Sequence, residues 1–249
     1  MSTQGTKTLM TEGSISKKMI FFAIPLFLGN LFQQLYNTAD SLIVGNFLGS
    51  NALAAVSSSG NLIFLMVGFF NGIARGAGVV FARYFGAGQI ERLQTAIHTT
   101  VAFGLAAGAA LTVIGMFFAP KILVLMGTPA EVLPQSTEYF RMYFAGSIGF
   151  VLYNICVGIH QSVGDSRHPL IYLIVSSCIN VALDLLFVAV FRWGVWSAAL
   201  ATIISQFASA FLCMNHLLRA PEEYRLYLRN IRFDLPMLRQ IIANGLPSG

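Results

Sequence analysis

Residues 169–191 read PLIYLIVSSCINVALDLLFVAVF, and Asp184 is the only charged residue among them. About 20 consecutive apolar residues are enough to cross a bilayer as an α-helix. Because the hydrocarbon core offers no water to backbone N–H and C=O groups, a helix that satisfies its own hydrogen bonds is the favoured form. The run therefore predicts an all-α integral membrane protein.

The composition of the whole chain supports the same fold class. Of its 249 residues, 56% are hydrophobic and 10% are charged, and the mean hydropathy is +0.71. Soluble domains carry roughly 25% charged residues. Similar apolar runs predict a six-helix lobe over residues 18–217, with short connections that leave no room for a soluble catalytic domain, so we do not expect an enzyme. The predicted spans are 18–45, 57–82, 94–118, 138–162, 169–191 and 196–217.

The net charge of +5 could suggest a nucleic-acid partner, but the basic residues sit in short connections between apolar runs. Most of them fall in alternate connections, which is the pattern of cytoplasmic loops. We therefore predict no nucleic-acid binding, a cytoplasmic N-terminal segment (1–17), a cytoplasmic linker (218–236) and both chain ends in the cytoplasm. Residues 1–16 lack the pattern of a secretory signal.

Motifs of other protein classes are absent from the sequence. It has no P-loop, GxSxG or HExxH motif, so we expect no ATP-driven step and no cofactor. The three cysteines lie inside apolar runs without metal-ligand spacing, and the four histidines are scattered among different segments. The sequence thus gives no sign of a metal centre built from His or Cys.

The end of the chain repeats its beginning. Residues 17–25 read KKMIFFAIP and residues 239–247 read RQIIANGLP, each with a basic residue eight positions before a proline. Six spans return the chain to its starting side, so a second copy would enter in the same orientation, as in parallel-repeat transporters. We expect residues 237–249 to begin the helix of a second lobe, and the chain to be one half of a two-lobed transporter.

Two carboxylates lie deep within the predicted spans. Counting 1.5 Å per residue places Asp40 roughly 30 Å and Asp184 roughly 23 Å from the cytoplasmic boundary, in the outer half of the membrane. An ionisable group at such depth costs on the order of 3 kcal/mol and marks a functional site by default. With no basic residue at matching depth, the pair favours a site for a proton or Na⁺.

Polar neutral residues accompany these acids. Asn180 and Asp184 are at i and i+4 on one helix face, and Thr202 lies at similar depth. Gln34, Asn37 and Asn154 are further cavity residues. For amides alone, hydrogen bonding between helices is the alternative explanation. An oxygen-rich site with two acids favours ion binding, and the sequence does not choose between H⁺ and Na⁺.

Two residues bear on charge balance and bending. Arg75 lies roughly 14 Å from the cytoplasmic boundary, too far for direct pairing with Asp40, so we expect it to face a water-filled cavity or the interface. Pro25 breaks the backbone hydrogen-bond ladder early in the first span and marks a candidate hinge, with a static kink as the alternative.

Several stretches are distinctive in combination: FAIPLFLGNLFQQLYNTADSLIVGNFLGSNALAAVSSSGNL (22–62), RYFGAGQIERLQ (83–94), GTPAEVLPQSTEYFRMYFAG (127–146), GIHQSVGDSRHPL (158–170) and INVALDLLFV (179–188). Together they resemble the first lobe of the multidrug and toxic compound extrusion (MATE) family, in its DinF-like bacterial branch. The resemblance extends over nearly the whole chain.

The resemblance implies a multi-pass protein of the bacterial cytoplasmic (inner) membrane. It implies two six-helix bundles around a central cavity, which export cationic or amphipathic solutes in exchange for H⁺ or Na⁺. The cation site of the first lobe would then comprise Asp40, Asn180, Asp184 and Thr202. Arg75 and Arg83 depart from the small or uncharged residues usual in the family.

Three hypotheses of function follow. The leading one is an ion-coupled multidrug antiporter, of which this chain is the N-terminal lobe. A flippase for lipid-linked intermediates, of the same superfamily, is the second, with Arg75 as its single hint. The third is an inactive or assembly-dependent half-transporter that needs a separate second lobe or a second chain. Small-molecule substrates and membrane lipids are the expected partners.

Overall fold

A computed structural model describes residues 15–245, and all of their regular secondary structure is helical. Residues 1–14 and 246–249, including Pro247, lie outside that range, and the predictions made for them stay predictions. The long helices are α1 (Ile15–Leu48), α2 (Ser50–Gly86), α3 (Ile90–Leu125), α4 (Leu133–Ala145), α5 (Ser147–Ser162), α6 (Arg167–Asp184), α7 (Trp196–Leu218) and α8 (Leu235–Gly245).

Helices α1, α2, α3, α6 and α7 are each long and apolar enough to cross a membrane. Helices α4 and α5 together make a sixth span, bent by 48° at Gly146. Large apolar side chains remain exposed on the outer surface, among them Phe27, Phe64 and Phe117. The prediction of a six-helix integral membrane bundle, followed by the start of a seventh helix, is confirmed.

The fourth span differs from the single helix expected over 138–162. The sequence has no proline there, but the hydroxyl of Thr112 on α3 donates a hydrogen bond of 3.0 Å to the carbonyl of Phe144. A side chain that bonds a helix carbonyl can end the regular ladder at that point. At the bend, a Cβ atom on Gly146 would collide with Ile203 of α7, so the break also brings α7 close.

Beyond Asp184 the α6 helix continues as a π-helical segment, Leu185–Val190. Arg192 then takes a positive φ of 51°, which is unusual outside glycine. Trp193 stacks on Phe187 at 5.0 Å and on Trp196 at 5.6 Å between ring centroids. This aromatic stack ties the end of α6 to the start of α7.

The linker between α7 and α8 packs against the ends of α2 and α3. The side chain of Gln94 donates to the carbonyls of Glu222 and Glu223, and the backbone N–H of Tyr227 donates to Nε2 of His98 at 3.0 Å. The hydroxyl of Tyr84 donates to Gln240 on α8 at 2.9 Å. We call this the linker end of the bundle, and the α6–α7 connection lies at the distal end.

A seam of small residues lets α3 pack closely on the bent span. A Cβ atom at Gly104, Gly108 or Gly115 would meet Ile155, Ile148 or Phe144 respectively. At Gly108 the nearest atom would be the backbone Cα of Ile148, 2.8 Å away. Since a backbone atom cannot rotate aside, this contact requires the absence of a side chain, as in close helix crossings in membranes.

We expect Gly108→Ala to lower stability by about 1 to 3 kcal/mol, the range for forcing extra volume into a packed core. The measurement is thermal unfolding of the purified chain in detergent. Gly68→Ala on α2 is the matched control, because a Cβ atom there would contact nothing within 4 Å and alanine favours a helix over glycine by roughly 1 kcal/mol. Equal changes in unfolding temperature for the two variants would contradict the conclusion that the contact at Gly108 requires glycine.

Candidate functional site

The two predicted carboxylates meet between α1 and α6. The side chain of Asp184 is fully buried, and Asp40 is its direct neighbour across the helix interface. Their packing is possible because α1 and α6 run side by side, with Gly29 of α1 in position to contact Leu170 and Leu173 of α6. Two acids from separate helices thus share one apolar pocket.

Four oxygen atoms of this pocket lack a hydrogen-bond donor among the described residues. Among the described residues, Oδ1 of Asp40, both carboxyl oxygens of Asp184 and Oδ1 of Asn180 are buried without a hydrogen-bond partner. Buried polar atoms are rarely left unpaired, and a group of them at one place calls for an ion, a proton or water. The cluster is therefore chemically suited to hold a cation or to share a proton.

Asn180 and Thr202 extend the pocket towards α7. The side-chain amide of Asn180 donates to the hydroxyl of Thr202 at 3.4 Å, and that hydroxyl donates to the carbonyl of Ala198 at 3.1 Å. Both side chains are buried. The amide is thereby oriented by its N–H₂ group, and its oxygen is buried without a hydrogen-bond partner.

Three tyrosines surround the acids, and the sequence analysis missed them. Tyr36 of α1 and Tyr139 and Tyr143 of α4 interact electrostatically with Asp40, and Tyr139 also with Asp184. A signal was present, since Tyr36 lies one turn before Asp40 on the same helix face. Tyr139 and Tyr143 repeat that spacing on α4 and stack at 6.2 Å.

Two glutamines connect this pocket to a larger cavity. Gln33 and Gln206 both adjoin the Tyr36 hydroxyl, and both line a cavity of about 470 Å³ between α1, α2, α5, α6 and α7. From the cavity towards the acids, the polar side chains are first the two glutamines, then Tyr36, and then Asp40 and Asp184. Polar side chains therefore lie between the cavity and the carboxylate pair, with Tyr36 bonded to the glutamines and interacting electrostatically with Asp40.

The cavity contains other residues singled out in the sequence. Pro25, Arg75 and Asn154 line it, and the Asn154 amide donates to the carbonyl of Phe150 at 2.8 Å. Among the described lining residues, Arg75 carries the only full charge. Helix α1 continues through Pro25 without interruption, so the hinge there stays a prediction.

Gln34 and Asn37 are not part of the carboxylate pocket. Both are exposed on α1, and the amide of Asn37 donates to Gln34 at 3.5 Å. Their predicted role as cavity residues has no support from the 470 Å³ cavity, whose lining omits them.

The histidines depart from expectation. His98 lies near a helix end, where the sequence favours a solvated or interfacial side chain, but it is buried, and its ring bonds both the Gln94 carbonyl and the linker. His160, His168 and His216 were described as scattered, and that interpretation is wrong. Their rings meet at the linker end, with centroids 4.9 Å apart for His160 and His216 and 4.2 Å apart for His168 and His216.

Comparison with known proteins identifies the family. A family model described as MatE matches residues 25–186, more than half of the chain. The chain belongs to the MATE family. It is 34% identical over 248 residues to the probable multidrug resistance protein YoeA of Bacillus subtilis, covering 96% of this chain and 53% of YoeA.

Solved MATE structures have the same fold. A crystal structure of a MATE protein in the bent conformation superposes with a TM-score of 0.87 at 27% identity, covering 95% of this chain and 53% of that one. A transporter of the MOP superfamily from Pyrococcus furiosus, described as having a binding pocket of reverse polarity, gives 0.88 at 25% identity, covering 98% and 54%. The chain thus spans about half the length of its MATE relatives.

We expect Asp184→Asn to raise the stability of this MATE chain by on the order of 1 kcal/mol, because it removes one of two adjacent carboxylates whose charged forms repel each other in a buried pocket. The new amide can also donate to Asp40. Thermal unfolding in detergent at neutral pH measures the effect.

The control is Asp234→Asn, at an aspartate that accepts the backbone N–H of Met237 at the start of α8. Asparagine caps helices as well as aspartate does, so this variant should unfold as the wild type does. A lower midpoint for Asp184→Asn than for Asp234→Asn would show that the acid is a net stabiliser, against this account.

Proposed function

We propose that this chain supplies the ion-coupling site of a secondary active antiporter that exports organic cations or amphipathic solutes in exchange for H⁺ or Na⁺. The observation that carries the proposal is the pairing of half-buried Asp40 with buried Asp184: among the described residues, Oδ1 of Asp40 and both carboxyl oxygens of Asp184 are buried without a hydrogen-bond partner. Two adjacent carboxylates in an apolar pocket are costly when both are charged. Binding of a cation or proton removes that cost.

Ion binding then becomes a conformational signal. An ion shifts a two-state equilibrium when it binds one state more tightly than the other. Loss of the ion leaves like charges facing each other across the α1–α6 interface and favours a state in which the helices separate or bend. Pro25 lies on α1 at the wall of the cavity, so movement of α1 would reshape the space available to a solute.

The donor set is compatible with either ion. Na⁺ is a hard cation that takes oxygen ligands, and Asp40, Asn180, Asp184 and Thr202 offer carboxylate, amide and hydroxyl oxygens in one pocket. A proton needs one carboxylate and an acceptor beside it, which the second acid provides. Tyr36 and the two glutamines supply donors and acceptors between this site and the cavity.

Since the chain spans about half the length of its relatives, the complete transport cavity requires a second lobe or a second chain. We propose that the linker end faces the cytoplasm, in line with the basic residues of its connections, and that the bundle lies in the cytoplasmic (inner) membrane of a bacterium. On that orientation the acids lie in the outer half of the membrane.

The main test is transport by a complete transporter that contains this chain, assayed in inverted membrane vesicles with a fluorescent organic cation. We expect Asp40→Asn and Asp184→Asn each to abolish uptake driven by an imposed H⁺ or Na⁺ gradient, because neither retains the charge change on which coupling depends. Asp234→Asn, outside the pocket, should transport normally. Normal gradient-driven uptake by either pocket variant would refute the coupling role.

A second candidate function rests on Arg75. Its guanidinium is the only full charge among the described cavity-lining residues, so the cavity of this lobe is positive. The Pyrococcus furiosus transporter was described as having a binding pocket of reverse polarity that suggests a different function. A positive cavity favours an anionic amphiphile, such as the phosphate of a lipid-linked intermediate.

Binding of a fluorescent long-chain alkyl phosphate to the purified chain separates the two functions. A flippase-like cavity should bind the phosphate in preference to an organic cation, and Arg75→Gln should weaken binding about tenfold, the size expected for one lost charge-assisted hydrogen bond. Arg83→Gln, on the same helix but outside the cavity lining, is the matched control. Preference for the organic cation would decide for the multidrug antiporter.

A further inference from the structure

A second polar cluster lies at the linker end, away from the ion-coupling residues. One ligand atom from each of His160, Asp165 and His216 lies within 4.8 Å of the other two. They come from three places in the chain: the last turn of α5, the α5–α6 connection and the last turn of α7. The backbone N–H of Asp165 donates to the carbonyl of His160 at 2.9 Å, which fixes the connection in place.

His160 presents an unused nitrogen to this cluster. Its side chain is 1% exposed, and its Nδ1 atom lies 2.8 Å from the carbonyl of Cys156. A carbonyl can only accept, so Nδ1 carries the hydrogen and Nε2 keeps its lone pair. That Nε2 atom is buried without a partner, which is the arrangement of a metal-binding imidazole held by a second hydrogen bond.

The two other ligands are oriented in the same manner. Nδ1 of His216 lies 3.0 Å from the Tyr172 hydroxyl, which leaves Nε2 of His216 available. The Asp165 carboxylate is held by His168, through Nδ1 at 2.7 Å and the backbone N–H at 3.2 Å. Tyr172 and His168 thus orient the ligands without occupying the centre of the cluster.

We propose that His160, Asp165 and His216 form a binding site for a divalent transition metal, with Zn²⁺ as the best match. Two imidazoles and one carboxylate, with a fourth position for water, are a common Zn²⁺ ligand set. Mg²⁺ and Ca²⁺ prefer oxygen ligands alone. The three ligand atoms lie within 4.8 Å of one another. Tetrahedral bonds of roughly 2.0–2.2 Å would place them about 3.4 Å apart, so their separations need to shorten by no more than about 1.4 Å.

The bound metal would restrain the part of the chain that lines the cavity at the linker end. Gln161, Ser162 and Ser166 line the 470 Å³ cavity; Gln161 directly follows His160 and Ser166 directly follows Asp165 in the chain. A metal bound by His160, Asp165 and His216 holds the α5–α6 connection against α7. It therefore restrains the segment that borders the cavity at the linker end, whatever solute the cavity accepts.

The test uses the full chain without a histidine tag, purified in detergent and stripped with a chelator. Titration calorimetry should show one equivalent of Zn²⁺ bound, and Co²⁺ should give the visible absorption of a four-coordinate site. His216→Ala and Asp165→Asn should each lower Zn²⁺ affinity by more than about tenfold, and Tyr172→Phe by about tenfold, the effect typical of losing a group that orients a ligand.

His98→Gln is the matched histidine control, since both nitrogens of His98 are already bonded to backbone groups, and it should bind Zn²⁺ as the wild type does. Asparagine at position 165 can still accept the backbone N–H of His168, so Asp165→Asn keeps the proposal testable should His216→Ala aggregate. Absence of stoichiometric Zn²⁺ binding, or equal affinity in Asp165→Asn and wild type, would overturn the site.

Discussion

The contact between Asp40 and Asp184 constrains the rest of this bundle. The packing of α1 on α6 brings half-buried Asp40 against fully buried Asp184. Their oxygens then need a cation, a proton or donors from neighbouring helices. Tyr139 and Tyr143 of α4 interact electrostatically with Asp40. The amide of Asn180 donates to Thr202, and the hydroxyl of Thr202 donates to the carbonyl of Ala198, so neither group supplies a donor to the acids.

Close helix packing makes that arrangement possible. Lipid chains are as apolar as the helix surfaces, so association within a membrane depends on fit and on polar contacts. The glycine seam of α3 lets the bent α4–α5 span approach, and the bend at Gly146 allows α4 to direct its tyrosines at the acids while α5 lines the cavity. A straight fourth helix could not place the tyrosines of α4 near the acids and also place α5 along the cavity.

That the two acids would lie at similar levels of the bundle was predictable because helices rise regularly along the chain, and the structure brings Asp40 and Asp184 together. Which helix would face the acids could not be predicted in this way. The orientation of Tyr139 depends on the bend between α4 and α5, where Thr112, far away in sequence, bonds the carbonyl of Phe144. The histidine cluster was missed for a related reason. His160 and His216 come together through the packing of α5 on α7, which no local spacing encodes.

The π-helical segment that follows Asp184 changes which side chains share a face in the part of the chain beyond α6. A π-helical turn contains more residues than an α-helical one, so side chains beyond it are rotated about the helix axis relative to an uninterrupted α-helix. A helical wheel counted upwards from Asn180 therefore misassigns the faces of Phe187 and Val190. Alignments of this segment should tolerate a one-residue deletion within 185–190, since a return to α-helical turns would restore the regular register while leaving Asp184 where it is.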